Sequence, residues 1–126
     1  MKMVIGGNNQ GQLDWAKENY EITEWTDGKQ CDFDEIYYCA GVFDFQQYVY
    51  RIMKETDCRT EELVEKIIRN NPKLVIVSDE IGYGLVPIDS FDRKYREETG
   101  RICTKLAAFS NEVVRVVMGI GVRIKG

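Results

Sequence analysis

Two short tracts of this 126-residue chain carry residues whose type and spacing suit chemistry. The first is Gly6-Gly7-Asn8-Asn9-Gln10-Gly11-Gln12-Leu13. A phosphate cradle of the form G-x-x-x-x-G-K-[ST] sits between a strand and a helix, and Gly6 and Gly11 stand at that separation. Gln12 then occupies the lysine place and Leu13 the hydroxyl place. The glycines still allow backbone N–H groups to gather as an anion nest at a helix start. The ammonium that neutralises polyphosphate charge is missing, and so is the hydroxyl that would hold magnesium. A hydrogen bond to a charged group contributes about 1.5–3 kcal/mol, so the lysine's loss alone should weaken binding about ten- to a hundredfold. The alternative is that Gly6 to Gly11 is only a tight turn.

The second tract is Leu74-Val75-Ile76-Val77-Ser78-Asp79-Glu80-Ile81-Gly82-Tyr83-Gly84-Leu85-Val86-Pro87. An unbroken apolar run reads as a strand buried on both faces of a parallel sheet. Ligands of open parallel sheets bind outside the carboxyl ends of the strands, which is where Asp79 and Glu80 fall. The run of apolar residues ending in Asp-Glu is close to the pattern that holds magnesium and positions water in nucleotide-hydrolysing enzymes. The competing account has both acids capping the next turn or pairing with Arg96 or Arg101. Gly82-Tyr83-Gly84 predicts a close-approach turn in which Tyr83 could stack on a flat ligand.

Around these tracts strand and helix alternate. Strands are expected over Met1–Ile5, Glu21–Thr26, Glu35–Val42 and Lys73–Val77, with Glu112–Met118 the last. Helices are expected over Leu13–Tyr20, from Asp44 through Met53, after Thr60 to Asn70, and from Asp89 or Ser90 onward, broken or bent at Gly100. The fold class is therefore α/β with a mainly parallel sheet, in one domain spanning residues 1–126.

Composition is ordinary for a globular chain, with 44% hydrophobic and 30% charged residues. A formal charge of -4 and the absence of a long basic run argue against nucleic acid as a partner. No apolar stretch approaches a membrane span, and the first strand runs straight into the glycine loop, so a cytoplasmic protein is expected. Cys31, Cys39, Cys58 and Cys103 form no CxxC pair and read as reduced thiols. Histidine is absent, which removes imidazole triads, imidazole metal sites and nucleotidyl-histidine intermediates.

The order VSDEIGYGLVP, then YREETGR, then LAAFSNEVVRVVMGI and a closing Lys125-Gly126 resembles the bifunctional adenosylcobinamide kinase and adenosylcobinamide-phosphate guanylyltransferase family of cobalamin assembly and salvage. The likeness is close over roughly two-fifths of the chain, residues 74 to 126, and weaker over residues 1 to 20. It implies a P-loop NTPase-like three-layer domain with about five strands. It further implies a nucleotide site at Gly6–Leu13, a substrate pocket at Gly82, Tyr83 and Gly84, and GTP or ATP with magnesium as cofactor. A corrinoid partner and a homo-oligomer, trimeric in the resembling enzymes, complete the implied picture. Three departures qualify it. The family carries a polar residue such as asparagine at Asp79, while the acid at Glu80 is kept. Tyr38 stands where an acid is expected. The stretch with the histidine that takes up the guanylyl group is missing between the first helix and Glu35. The implied protein is a shortened, degenerate member: a nucleotide- or corrinoid-binding relative with weak or lost transferase activity. The alternative is a non-catalytic scaffold or regulatory partner.

Overall fold

A computed structural model describes residues 1–81 and 89–126. Its sheet contains β1 (Lys2–Gly6), β2 (Trp25–Asp27), β3 (Gly41–Phe43), β4 (Val75–Asp79), β5 (Glu112–Val117) and β6 (Ile120–Lys125). Their spatial order is β2-β3-β4-β1-β5-β6. The first five strands in that order pair in parallel, and β6 returns antiparallel along β5. Four helices join them: α1 (Gln12–Asn19), α2 (Phe45–Glu55), α3 (Thr60–Asn70) and α4 (Ser90–Phe109). The three-layer α/β arrangement is the expected one, with one strand more than the sequence suggested.

The alternating side-chain directions of β1 explain both cores. Val4 faces α1 and packs with Ala16, Val77, Val114 and Val116. Met3 faces the other way, where Phe45, Leu63, Ile67, Ile102 and Leu106 of α2, α3 and α4 close over Ile76 and Val113. Helices α2 and α3 present apolar residues at helical spacing, which is why their extents were readable from the sequence.

The short second strand forms at Trp25–Asp27, the residues that pair with Gly41–Phe43, and not over Glu21–Thr26; three further expectations need correction. Residues 35–40 are not extended: Phe33–Tyr37 is a 3₁₀ turn, and only Gly41–Phe43 joins the sheet. The turn prevails because Asn71 Nδ2 donates to the carbonyls of Ile36 (2.9 Å) and Cys39 (2.8 Å), which a strand there would have aimed elsewhere. Ile36 is buried by it while Tyr38 is left in solvent. Secondly, β5 is not the last strand. Met118 and Gly119 both have positive φ (50° and 77°), the requirement of a tight hairpin turn that matches strand twist, and β6 follows. Thirdly, Asp44 precedes α2 in a left-handed conformation (φ 51°) and its side chain caps nothing. Asp89 does cap α4, accepting from the Asp92 N–H at 2.7 Å.

Helix α4 runs through Gly100 without interruption. A Cβ at that exposed position would meet nothing within 4 Å. Gly100→Ala is therefore expected to stabilise the fold by about 1 kcal/mol and raise Tm by about 3–5 °C, measurable by thermal circular dichroism.

Candidate functional site

The glycine loop leaves β1 at the centre of the sheet, between β4 and β5, so Gly6 is in register with both Asp79 and Val116. A Cβ at Gly6 would come within 2.6 Å of the Val116 carbonyl oxygen, which explains glycine there without reference to any ligand. Gly11 sits just before α1 with φ 90°, and no side chain caps the helix. The first-turn N–H groups of α1 therefore open toward the loop, the arrangement of an anion nest.

Gln12 is nearly buried, at 5% exposure. Its amide nitrogen donates to the Gly7 carbonyl at 2.8 Å and to Asp79 Oδ1 at 2.9 Å. A neutral side chain thus ties the glycine loop to the acid at the end of the neighbouring strand. Leu13, half-buried, lines the same crevice of about 440 Å³ together with Asn8, Asn9, Lys29, Asp44 and Gln46. On the loop's other flank, Gln10 holds the β5–β6 hairpin tip. Its side-chain oxygen accepts from the Met118 N–H and its carbonyl from the Gly119 N–H, each at 2.8 Å.

Asp79 and Glu80 diverge. Asp79 points with Val77 toward α1 and receives Gln12, while its backbone N–H donates to Gln46 Oε1 at 3.1 Å. Glu80 donates its N–H to the Gly6 carbonyl at 2.7 Å, and its carboxylate takes Arg115 on the α4 face at 2.9 and 3.4 Å. Arg96 pairs with Asp92 and Arg101 with Glu98. Asp79 is thus the acid set against the glycine loop, and Glu80 lies beside it on the other side of the sheet. Gly82, Tyr83 and Gly84 lie outside the described residues.

Sequence reasoning missed two of these participants. Gln46, 5% exposed, accepts from the Asp79 N–H and from Ser78 Oγ, while its carbonyl accepts from Tyr95 OH at 2.7 Å. It lies next to the apolar stripe of α2, where a polar residue carries no distinguishing signal. Arg115 sits in an apolar strand, and a lone cation between valines was its only signal.

The charges of the crevice are Asp14, Asp44 and Asp79 against Lys29. Burial holds the Asp79 carboxyl above its ordinary value, and the Asp44 charge adds to the rise. The folded chain therefore binds that proton more tightly than the unfolded chain does. Stability falls as pH rises from the ordinary carboxylate range through the raised value, and the penalty persists above it. Asp79→Asn keeps an oxygen for Gln12 and removes the charge. It is expected to raise stability at neutral pH and flatten that part of the profile, as read by urea denaturation across pH.

The family model for cobinamide kinase / cobinamide phosphate guanyltransferase matches residues 22–124. Over 87 residues, 68% of this chain, the sequence is 37% identical to the bifunctional adenosylcobalamin biosynthesis protein CobU of Escherichia coli. It is 38% identical over the same length to the protein of that name from Salmonella typhimurium. The alignment takes in 48% of each relative, so the chain spans about half the length of the curated relatives it matches.

Proposed function

Because the chain belongs to the cobinamide kinase / cobinamide phosphate guanyltransferase family, we propose that it serves cobalamin biosynthesis or salvage as a nucleotide- or corrinoid-binding protein with weak or lost transferase activity. The observation that carries this reading is Gln12. It stands in the lysine place, neutral and already committed to the Gly7 carbonyl and Asp79. The cradle keeps the uncapped helix start and the left-handed Gly11 that suit a phosphate. Magnesium fits poorly, since Leu13 offers no oxygen and Asp79 is engaged by Gln12. Phosphoryl transfer depends on positioned positive charge around the transferring group. Among the described residues, Lys29 is the one cation against three acids in the lining of this crevice, and guanylyl transfer through histidine has no histidine in these 126 residues. Loss of turnover follows from that balance, while the uncapped helix start and the left-handed Gly11 support retention of a ligand.

Calorimetric titration with GTP, ATP and cobinamide tests the reading. Heat with one of them, and no phosphorylated cobinamide product, is the expected result. Silence with all three at millimolar concentration would end the binding claim, and turnover at an ordinary enzymatic rate would end the claim of lost activity.

One observation favours the scaffold alternative. Edge strand β6 carries Ile120, Val122 and Ile124 exposed to solvent, a surface that suits a subunit contact or another pathway protein. A homo-oligomer, trimeric by resemblance, belongs to this proposal, as does a cytoplasmic location. Among the described residues no helix is long and apolar enough to cross a membrane.

A further inference from the structure

Strand β6 ends the sheet, and among the described residues no strand pairs with its outer edge. Such an edge is a row of unmet N–H and C=O groups, which soluble proteins blunt with proline, outward-held charge or a bulge. The middle of β6 has none of these. It contains no proline, and its register shift against β5 falls at the open end, opposite Val113 and Val114. Both of its cations turn back onto their own chain. Arg123 reaches Glu112 at 3.6 Å, and Lys125 donates to the Ala107 and Ala108 carbonyls at 2.9 and 2.7 Å.

The two faces of β6 differ. On the α1 side stand Gly121, covered by the Trp15 indole, and Arg123, which pairs with Val114 of that core. On the α4 side stand Ile120, Val122 and Ile124. Val122 lies opposite Arg115, and Ile124 lines a hollow with Cys103 and Thr104 of α4. The three are 68, 53 and 57% exposed, so α4 stops short of the edge strand and leaves an apolar row in water. The alternation also has a self-match. About a two-fold axis through Val122, an antiparallel second copy sets Ile120 against Ile124 and Val122 against Val122. Apolar side chains then meet about 5 Å apart on one face. On the other face Arg123 falls opposite Gly121, which has no side chain, so no like charges are opposed. A self-complementary strand is what a two-fold contact requires, and a different protein would not demand it.

We propose that a second copy of this chain pairs edge to edge along β6, antiparallel and with Val122 on the axis, joining two six-stranded sheets into one. This names the partner and the contact within the homo-oligomer reading above, on which it rests, and makes the assembly two-fold where the resemblance implied a trimer. One short strand on each side buries well under the about 1,200 Å² of a standard interface, so the pair should be weak and depend on concentration.

Sedimentation equilibrium of the full chain over about 1–500 µM tests it, with a monomer–dimer equilibrium expected. Val122→Lys and Val122→Glu each set like charges against one another at the axis and should weaken the dimer at least about tenfold. Because Val122 is exposed by about half, both variants should remain folded, as thermal circular dichroism checks. Mixed in equal amounts, the two variants should dimerise at a concentration where each alone is a monomer, which damage to the fold would not produce. A monomer at every concentration would overturn both this inference and the homo-oligomer reading, leaving the edge to a different protein. A dimer indifferent to both exchanges, an assembly of three copies, or no recovery on mixing would overturn the β6 contact alone.

Discussion

Replacing Gln12 by lysine and Leu13 by threonine together should raise the affinity for magnesium-bound GTP or ATP about ten- to a hundredfold. The estimate follows from a charged hydrogen bond of about 1.5–3 kcal/mol, at 1.4 kcal/mol for each factor of ten. Geometry favours the exchange. Gln12 leaves the first turn of α1 and runs beneath the loop to Asp79, the path a lysine in that place must take. Lysine is one bond longer, so its ammonium would pass the present amide position and stand between Asp79 and the open N–H groups. Asp79 would then have a full charge as partner, where burial and Asp44 now disfavour its ionised form. Threonine at position 13 supplies the oxygen that magnesium lacks. The control is Gly11→Val, since φ 90° is strained for any side chain and the new Cβ would come within 3.4 Å of the Gly119 backbone. Adding it to the double variant should abolish the gain. An unchanged affinity in a folded Gln12→Lys/Leu13→Thr protein would show that the loop is a turn and no longer a cradle. Calorimetry with each nucleotide, before and after the exchanges, decides between the two.

What the sequence made legible was periodicity and local punctuation. β1 and β4 are apolar runs beside turn signals, and α2 and α3 carry their apolar residues at three- and four-residue spacing, so pattern alone locates them. The glycine loop was legible because its spacing is a motif. What escaped depends on contacts far apart in the chain. Ile36-Tyr37-Tyr38-Cys39 has strand-like composition, and Asn71, more than thirty residues away, decides the matter by binding two of its carbonyls. β6 escaped because Met118 is an uncommon residue for a left-handed turn position, although Gly119 beside it is a common one. In the site, adjacency of Asp79 and Glu80 suggested a carboxylate pair. Consecutive residues at a strand's end project to opposite faces, and so the sheet assigns one acid to Gln12 and the other to Arg115.

Tyr48→Ala is expected to be the most damaging single exchange to stability, at about 4–5 kcal/mol, against about 1–2 kcal/mol for Tyr48→Phe. The reasoning begins with residues 28–37, which belong to no strand and must be held by side chains. Tyr48, fully buried on α2, donates its hydroxyl to the Phe33 carbonyl at 2.7 Å. Its ring stacks on Phe45 with centroids 6.1 Å apart and meets Phe33 edge-on at 6.0 Å. One turn further, Arg51 donates to the carbonyls of Gly28 and Cys31 and lies over the Phe33 ring at 4.7 Å. Removing the ring opens a cavity where three aromatic residues meet and strands a carbonyl, whereas phenylalanine strands the carbonyl alone. Total stability for a domain of this kind is about 5–15 kcal/mol, so the alanine variant should lose about a quarter or more of it. Urea denaturation of the two variants measures both values, and their difference isolates the packing contribution. If alanine were no worse than phenylalanine, residues 28–37 would not depend on the Tyr48 ring. The loss should also reach the site, because α2 begins at Phe45 and its next residue, Gln46, holds the backbone of Asp79. A helix freed on its Phe33 side would no longer fix that bond. Tyr48→Ala should therefore weaken any ligand of the glycine-loop crevice even in the fraction that stays folded, while Tyr48→Phe should leave it unchanged.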